Sequence, residues 1–238
     1  MNETTPPAGS GAMFDAIAAR YDLLNRLLSL GLDVRWRRRL VDALALKAGQ
    51  RVLDLATGTA DVALAIAARE AGTHVVGLDP SEQMLAVGRR KVLEAKLSTR
   101  VELVAGDAQS LPFPDASFDA VTISFGIRNV PDRPCALREM RRVLRPGGRL
   151  AVLELAEPDG RLLGSLARFH VHEVVPRLGA LLSGQREYRY LHQSIERFPH
   201  RSAFSRTIEE AGFTRVVATP LTFGACVLFT GDRPEVAT

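Results

Sequence analysis

The stretch Val52-Leu-Asp-Leu-Ala-Thr-Gly-Thr-Ala-Asp61 begins as an apolar strand and passes through an acidic residue and a turn of small residues into a helix. A second apolar run, Val75-Val-Gly-Leu-Asp79, also ends in an acidic residue. In open α/β sheets, ligands lie beyond the carboxyl ends of the strands, where small residues let the backbone approach the ligand. A carboxylate that closes the second strand can accept hydrogen bonds from ribose hydroxyls. Gly58, Thr59 and Asp79 therefore predict a nucleoside pocket.

The turn between this strand and helix lacks the Gly-x-Gly-x-x-Gly pattern of dinucleotide sites. It is similar instead to the Asp-x-Gly-x-Gly-x-Gly turn of S-adenosylmethionine-dependent methyltransferases, with alanine at two glycine positions, Ala56 and Ala60. Asp54 leads the turn, where we expect it to meet the cationic amine of the methionine part of the cofactor. An alanine is unstrained only at negative φ, and we expect a negative φ at Ala60 because a helix begins there.

Length and composition indicate one substantial globular domain. The chain has 238 residues, of which 46% are hydrophobic and 24% are charged, as is ordinary for a soluble protein. Its two cysteines, Cys135 and Cys226, are too few for a disulfide framework and lack metal-ligand spacing, so we expect a reducing cytosol and no metal. No apolar stretch approaches the roughly 18 residues of a membrane span. Residues 1–12 form a polar segment that we expect to be a disordered tail.

The net charge of +4 is unevenly distributed along the chain. Residues 13–51 carry eight basic and four acidic side chains, and residues 161–215 carry nine arginines and five acids. Within residues 13–51, four arginines lie close together at the start of one predicted helix: Arg35, Arg37, Arg38 and Arg39. A nucleic-acid surface is disfavoured because aromatic interleaving and a binding motif are missing. Attraction to an anionic membrane surface and a plain solvated face both stay open.

Strands and helices alternate after two amphipathic helices, one over Phe14–Leu30 that stops at Gly31 and one from about Val34 to Leu46. The predicted strands are residues 51–56, 74–79, 101–105, 118–124 and 149–155, and the predicted helices are residues 62–70, 81–96 and 134–144. Pro146-Gly147-Gly148 is predicted to be a turn between the last of these helices and the strand at Arg149. Such alternation indicates a parallel sheet with helices on both faces and right-handed crossovers.

The alternation stops after Pro158. Residues 160–198 contain no convincing strand, and we expect a helical insertion that lies over the crevice. A helix and two strands then follow, near residues 202–211, 214–219 and 224–230. The last two strands would close the sheet as an antiparallel edge, which is how the seven-stranded sheets of methyltransferases end. We therefore expect a single domain over residues 13–238, whose N-terminal helices occupy residues 13–48.

Several longer strings are typical of one family. They are Met13-Phe-Asp-x-Ile-Ala-x-x-Tyr-Asp22, Leu111-Pro-Phe-Pro-Asp115, Ser124-Phe-Gly-Ile-Arg-Asn-Val130, Arg142-Val-Leu-Arg-Pro-Gly-Gly148 and Tyr190-Leu-x-x-Ser194. Together they resemble the UbiE/MenG family of C-methyltransferases over residues 13–233. The resemblance implies the class I S-adenosylmethionine-dependent methyltransferase fold, an α/β fold with a Rossmann-like, seven-stranded, mostly parallel sheet. It also implies methylation of a ring carbon of a polyprenylated quinol, either demethylmenaquinol or the benzoquinol precursor of ubiquinone.

The family's cofactor contacts, carried onto the matching positions, are Thr59, Asp79, Asp107, Ala108 and Ser124. Asp107 lies just past the third strand, where a short polar side chain can bond the adenine amino group. Ser124 ends the fourth strand at the crevice, and the competing interpretation is a strand-end hydroxyl that its own backbone satisfies. Thr59 offers a hydroxyl and a backbone N–H near the tail of the cofactor.

The implied chemistry requires a nucleophilic ring carbon, which a hydroquinol provides and a quinone does not. The site then needs a donor or cation that faces the developing oxyanion and a group that removes a proton. Arg128 is the candidate for the first task, with Asn129 beside it. Histidine is a suitable base at neutral pH, and His170-x-His172 and His192 are candidates. For each of these histidines, a surface or packing role is the favoured interpretation.

Three other functions are considered beside this one. The chain could methylate another lipid-like small acceptor, bind S-adenosylmethionine without catalysis, or be an NAD-dependent oxidoreductase, which the missing third glycine disfavours. The expected partners are a polyprenyl quinol and the membrane surface, not nucleic acid, and a homodimer stays open. We expect a cytoplasmic protein that associates with the inner face of the cell membrane.

Overall fold

Alternating strands and helices make up the described part of the chain, which is residue 26, residues 29–156 and residues 193–235 of a computed structural model. The strands are β1 (Arg51–Leu55), β2 (His74–Asp79), β3 (Val101–Ala105), β4 (Phe118–Ser124), β5 (Leu144–Leu155), β6 (Thr214–Leu221) and β7 (Cys226–Asp232). The helices are α1 (Leu32–Ala43), α2 (Asp61–Arg69), α3 (Glu82–Glu94), α4 (Arg133–Val143) and α5 (Arg201–Glu210), with 3-10 turns at Ile127–Asn129 and Thr222–Gly224. Within the described ranges, the predicted helices and strands are found with bounds that differ by a few residues.

The strands form one seven-stranded sheet in the order β3-β2-β1-β4-β5-β7-β6. Strands β1 to β5 pair in parallel, and β7 pairs antiparallel with both β5 and β6. The antiparallel strand is therefore second from the edge, and the edge strand β6 runs in the same direction as β1 to β5. Strand order reverses at β1 and β4, so a crevice opens beyond their carboxyl ends. This arrangement confirms the predicted class I methyltransferase fold.

Strand β5 corrects the prediction of a turn at Pro146-Gly147-Gly148. One strand runs from Leu144 through these residues, and the irregularity appears as a register shift against β4. Gly147 has φ +74°, which a glycine adopts without strain. Its N–H donates to the Arg233 carbonyl at 2.9 Å, and the Arg233 N–H donates to the Gly148 carbonyl at 2.8 Å. Pairing with the chain that follows β7 therefore keeps this glycine-rich segment in the sheet.

Apolar side chains form a core on each face of the sheet. Successive residues of a strand point to opposite faces, so Val52 packs on one face while Leu53 packs on the other. Helices α1, α2 and α3 cover the first face, and α4 and α5 cover the second. Helices α3 and α4 begin at side-chain caps, since Ser81 Oγ accepts from the Met84 N–H and Asp132 Oδ1 accepts from the Cys135 N–H.

Gly31 separates the two predicted N-terminal helices. Arg26 is helical, and the Gly31 N–H donates to its carbonyl at 2.8 Å, with Gly31 at φ +75°. This left-handed cap confirms the predicted stop. The tail at residues 1–12, residues 13–25 and most of the predicted insertion at 160–198 lie outside the described residues, as do His170, His172, Tyr190 and His192. Within the described ranges, helices fall short of the length and apolarity needed to cross a membrane.

Candidate active site

A cavity of about 380 Å³ opens at the carboxyl ends of the central strands. This volume lies within the range of small-molecule sites. The predicted site residues that line it are Gly58, Asp79, Asp107, Ala108, Ser124 and Asn129. The structure thus brings together six residues that are spread over more than seventy positions of the sequence. The other predicted site residues, Asp54, Thr59 and Arg128, are not among the described residues that line the cavity.

The turn after β1 has a left-handed backbone at each of its three small positions. Ala56, Gly58 and Ala60 have φ angles of 49°, 55° and 67°. The prediction of a negative φ at Ala60 is wrong, because the Ala60 N–H closes a tight turn onto the Thr57 carbonyl at 2.9 Å before α2 begins. A left-handed non-glycine residue costs about 1–2 kcal/mol. The methyl of Ala60 is fully buried, and a Cβ on Gly88 of α3 would lie 3.2 Å from it.

Asp79 ties this turn to the end of β2. Its carboxylate is buried and accepts the Gly58 N–H on Oδ2 at 2.8 Å and the Ser81 N–H on Oδ1 at 2.9 Å. These two bonds hold the carboxylate in one orientation at the cavity wall. A charged acceptor held in this way suits the hydroxyls of a ribose.

Asp107 and Gln109 form the wall beyond β3. The carboxylate of Asp107 accepts the Gln109 N–H at 2.9 Å and the Gln109 side-chain amide at 3.0 Å. The Gln109 Oε1 atom accepts the Asp132 N–H at 3.0 Å, so this amide connects the segments after β3 and after β4. The sequence prediction missed Gln109, although it follows the predicted pair Asp107 and Ala108 directly.

Two oxygens near the crevice are buried without a hydrogen-bond partner among the described residues: Ser124 Oγ and Asp54 Oδ1. Buried polar atoms are nearly always paired, and the Ser124 hydroxyl belongs to a residue of the cavity wall. An unpaired hydroxyl at this place fits a site that receives a polar ligand. The alternative interpretation, in which the backbone of Ser124 itself satisfies the hydroxyl, is not what the structure shows.

Asp54 lies beneath the turn. The carboxyl is fully buried, and its Oδ2 accepts the Thr57 hydroxyl at 2.7 Å. The pKa of Asp54 is raised to about 7, mainly by burial and partly by the charge of Asp79, while the hydrogen bond from Thr57 acts in the opposite direction. A cation that binds nearby would favour the ionised form. The predicted contact with the cofactor amine stays a prediction.

Thr59 is buried, and its hydroxyl accepts a hydrogen bond from Lys91 Nζ at 3.2 Å. The side chain thus meets α3 rather than the cavity, and its backbone N–H remains the predicted contact.

Arg128 lies behind the cavity wall in a buried ion pair. Its Nη1 donates to Glu154 Oε1 at 2.6 Å and to the Phe125 carbonyl at 2.6 Å. Its Nε donates to Ser194 Oγ at 3.3 Å, and its backbone N–H donates to Glu154 Oε2 at 3.1 Å. The pair holds the 3-10 turn Ile127–Asn129, which presents Asn129 to the cavity. The proposed role of Arg128 toward the acceptor stays a prediction.

Phe125 and Gly126 also line the cavity and were not predicted as site residues. A Cβ on Gly126 would lie 2.4 Å from the Cβ of Ala56, so only glycine lets these two segments approach so closely. Both residues stand within the string that carries the family resemblance. The signal that could have identified them is their place directly after the last residue of β4.

Comparisons with known proteins identify the family of this chain. A model of the ubiE/COQ5 methyltransferase family matches residues 5–233. The chain belongs to the ubiE/COQ5 methyltransferase family. It is 51% identical to the demethylmenaquinone methyltransferase of Thermus thermophilus over 93% of this chain and 100% of that protein. It is 47% identical to the ubiquinone/menaquinone biosynthesis C-methyltransferase UbiE of Syntrophotalea carbinolica over 96% of this chain and 95% of that protein.

A solved structure supports the same fold. A putative S-adenosyl-L-methionine-dependent methyltransferase from Methanococcus maripaludis matches with a TM-score of 0.69 at 15% identity, over 100% of this chain and 99% of that one. Membership of the ubiE/COQ5 methyltransferase family confirms S-adenosylmethionine-dependent methyl transfer. The residues present fit the cofactor, since the cavity combines a left-handed turn of small residues, an oriented carboxylate and an unpaired buried hydroxyl.

Proposed function

We propose that this protein methylates a ring carbon of a polyprenylated quinol, converting demethylmenaquinol to menaquinol. The observation that carries the proposal is 51% identity to a demethylmenaquinone methyltransferase over that protein's whole length. The benzoquinol precursor of ubiquinone is a second candidate acceptor, because a relative at 47% identity is named for both quinones.

The residues of the cavity divide into two groups in this proposal. Asp79, Asp107 and Ser124 hold the cofactor, with the oriented carboxylate of Asp79 accepting ribose hydroxyls. Asn129 lies in the same wall as Ser124 and is placed to orient the acceptor. S-adenosylmethionine, when bound, supplies a methyl group on a positively charged sulfur. The protein's own contribution is to hold the ring carbon in line and to exclude water, which can account for a large part of the rate acceleration.

Arg128 acts on the acceptor through Asn129, which lines the cavity. Its charge is partly balanced by Glu154, and its hydrogen bonds orient the turn that carries Asn129. A developing phenolate would be stabilised by a donor amide or cation that is already oriented. Arg128 and Asn129 together thus favour ionisation of the quinol hydroxyl, which makes the ring carbon nucleophilic.

The proposed function is tested with purified protein, S-adenosylmethionine and each quinol in parallel, with the products analysed by mass spectrometry. We expect one added methyl on demethylmenaquinol under reducing conditions and none on the oxidised quinone. Methylation of the benzoquinol alone would move the protein to the ubiquinone pathway. Full activity on the oxidised quinone would contradict the hydroquinol chemistry.

A lipid acceptor also implies contact with the membrane surface, and we propose the inner face of the cell membrane. Arg38 and Arg39 are exposed on α1, and each basic residue near an anionic surface contributes about 1 kcal/mol. Replacing both with serine should weaken binding to anionic vesicles and lower activity on a long-chain quinol, with a short-chain analogue unaffected. Arg90→Ser, on the exposed face of α3, is the control. Equal losses on both quinols would contradict the proposal.

A further inference from the structure

Helix α1 lies outside the sheet, yet two of its side chains reach the walls of the cavity. The Arg37 guanidinium donates from Nη1 to Asp33 Oδ2 at 2.7 Å and to Asp61 Oδ2 at 3.1 Å. The Arg37 side chain is only 12% exposed. The basic run on α1 is therefore not uniform, because Arg35, Arg38 and Arg39 are exposed while Arg37 is used inside the protein.

Asp61 connects Arg37 to the cofactor turn. It is the first residue of α2 and follows Ala60 directly. Its other carboxylate oxygen accepts from Lys91 of α3, and Lys91 also donates to the Thr59 hydroxyl at 3.2 Å. One carboxylate thus lies between a cation of α1 and a cation of α3. The end of the strained turn is held from both sides.

Phe125 connects α1 to the part of the cavity wall that follows β4. The Trp36 ring packs edge-on against the Phe125 ring, with centroids 6.3 Å apart, and the Arg37 guanidinium carbon lies 5.7 Å from the same ring. Phe125 has φ +57°, an unfavourable conformation for an aromatic residue. Strained residues persist only where their surroundings hold them. The Trp36 indole is itself fixed by a hydrogen bond from Nε1 to Thr222 Oγ1 at 2.9 Å.

We propose that Arg37 and Trp36 are positioning residues for cofactor binding. Arg37 joins α1 to the turn through Asp61. The side chains of Trp36 and Arg37 also pack against Phe125 in the cavity wall. The turn and Phe125 both border the cavity, so a displacement of α1 would change the shape of the cavity at both. The inference rests on the proposed binding of S-adenosylmethionine at this cavity and assigns no chemical step to either residue.

The single tryptophan of the chain provides a direct test, because Trp36 contacts the cavity wall itself. Trp36 fluorescence is titrated with S-adenosylhomocysteine, and the same affinity is measured by isothermal titration. We expect the emission to change on binding in the wild type. Arg37→Met should weaken binding about tenfold, within the range of coupling between contacting residues. Arg35→Met is the matched control, since it removes an exposed arginine of the same helix, and its affinity should be unchanged.

A second variant separates positioning from simple loss of stability. Asp61→Asn should weaken binding as Arg37→Met does, and the double variant should be little worse than either, because both break the same connection. Arg37→Lys keeps the charge and should bind more tightly than Arg37→Met. If Arg37→Met does not fold, Arg37→Lys provides the comparison with the wild type.

Equal affinities for Arg37→Met and Arg35→Met would overturn the inference. So would strictly additive losses, or calorimetric binding without any change in Trp36 emission. A wild type that binds no S-adenosylhomocysteine would instead overturn the proposed function.

Discussion

The buried carboxyl of Asp54 should make the protein less stable as the pH rises, and Asp54→Asn should remove this dependence. The side chain is fully buried beneath the cofactor turn, and burial is the main cause that raises its pKa to about 7 from 3.8. In the unfolded chain the carboxyl loses its proton near the lower value. Between the two values the folded protein keeps a proton that the unfolded chain has lost, so the free energy of unfolding decreases with increasing pH.

The magnitude follows from the distance between the two pKa values of Asp54, which is about three pH units. Each unit corresponds to about 1.4 kcal/mol, so the free energy of unfolding should fall by about 4 kcal/mol between pH 4 and pH 8. Asparagine has a similar shape, can keep the hydrogen bond to Thr57 and carries no charge at any pH. The variant should therefore gain about 4 kcal/mol relative to the wild type over the same range.

The assay is urea unfolding, followed by Trp36 fluorescence at several pH values for both proteins. Other titrating groups are common to both and cancel in the difference. Thr57→Val provides a second comparison. In the wild type the hydrogen bond from Thr57 lowers the pKa of Asp54. Its loss should raise that pKa, so the loss of stability should extend to higher pH. A difference between wild type and Asp54→Asn that stays flat from pH 4 to pH 8 would refute the reasoning.

Three further predictions concern the walls of the cavity. Asp79→Ala should weaken S-adenosylmethionine binding by more than about tenfold in calorimetry, because each charged hydrogen bond is worth about 1.5–3 kcal/mol; unchanged affinity in a folded variant would exclude the ribose contact. Gly126→Ala should lower the melting temperature through its 2.4 Å approach to the Ala56 methyl, and Ala56→Gly should restore it; a loss that persists would show another cause. Glu154→Gln should lower the free energy of unfolding by about 3–5 kcal/mol, since a buried guanidinium loses its partner. Combining Glu154→Leu with Arg128→Met should recover much of this in urea titrations, and no recovery would count against the ion pair as the cause.

Local sequence patterns predicted the order of helices and strands because they depend on near neighbours. Apolar runs with small-residue turns identified the strands, and amphipathic spacing identified α1 and the helices between strands. Asp79 and Ser124 were also predictable, because residues at the carboxyl ends of adjacent parallel strands must meet at one edge of the sheet. The family resemblance added Asp107 and Ala108, which line the same cavity as Asp79 and Ser124.

Other features depend on residues that are distant in sequence, and only the tertiary structure decided them. Gly147 stays in β5 because Arg233 pairs with it from the end of the chain. Ala60 adopts a left-handed conformation because its N–H closes a turn onto the Thr57 carbonyl, and its buried methyl lies against Gly88 of α3. Arg37 resembled its exposed neighbours in sequence, but its contacts with Asp61 and Phe125 place it behind the cavity wall. Composition and spacing report what a residue can do, whereas its partners in space determine which of these roles it takes.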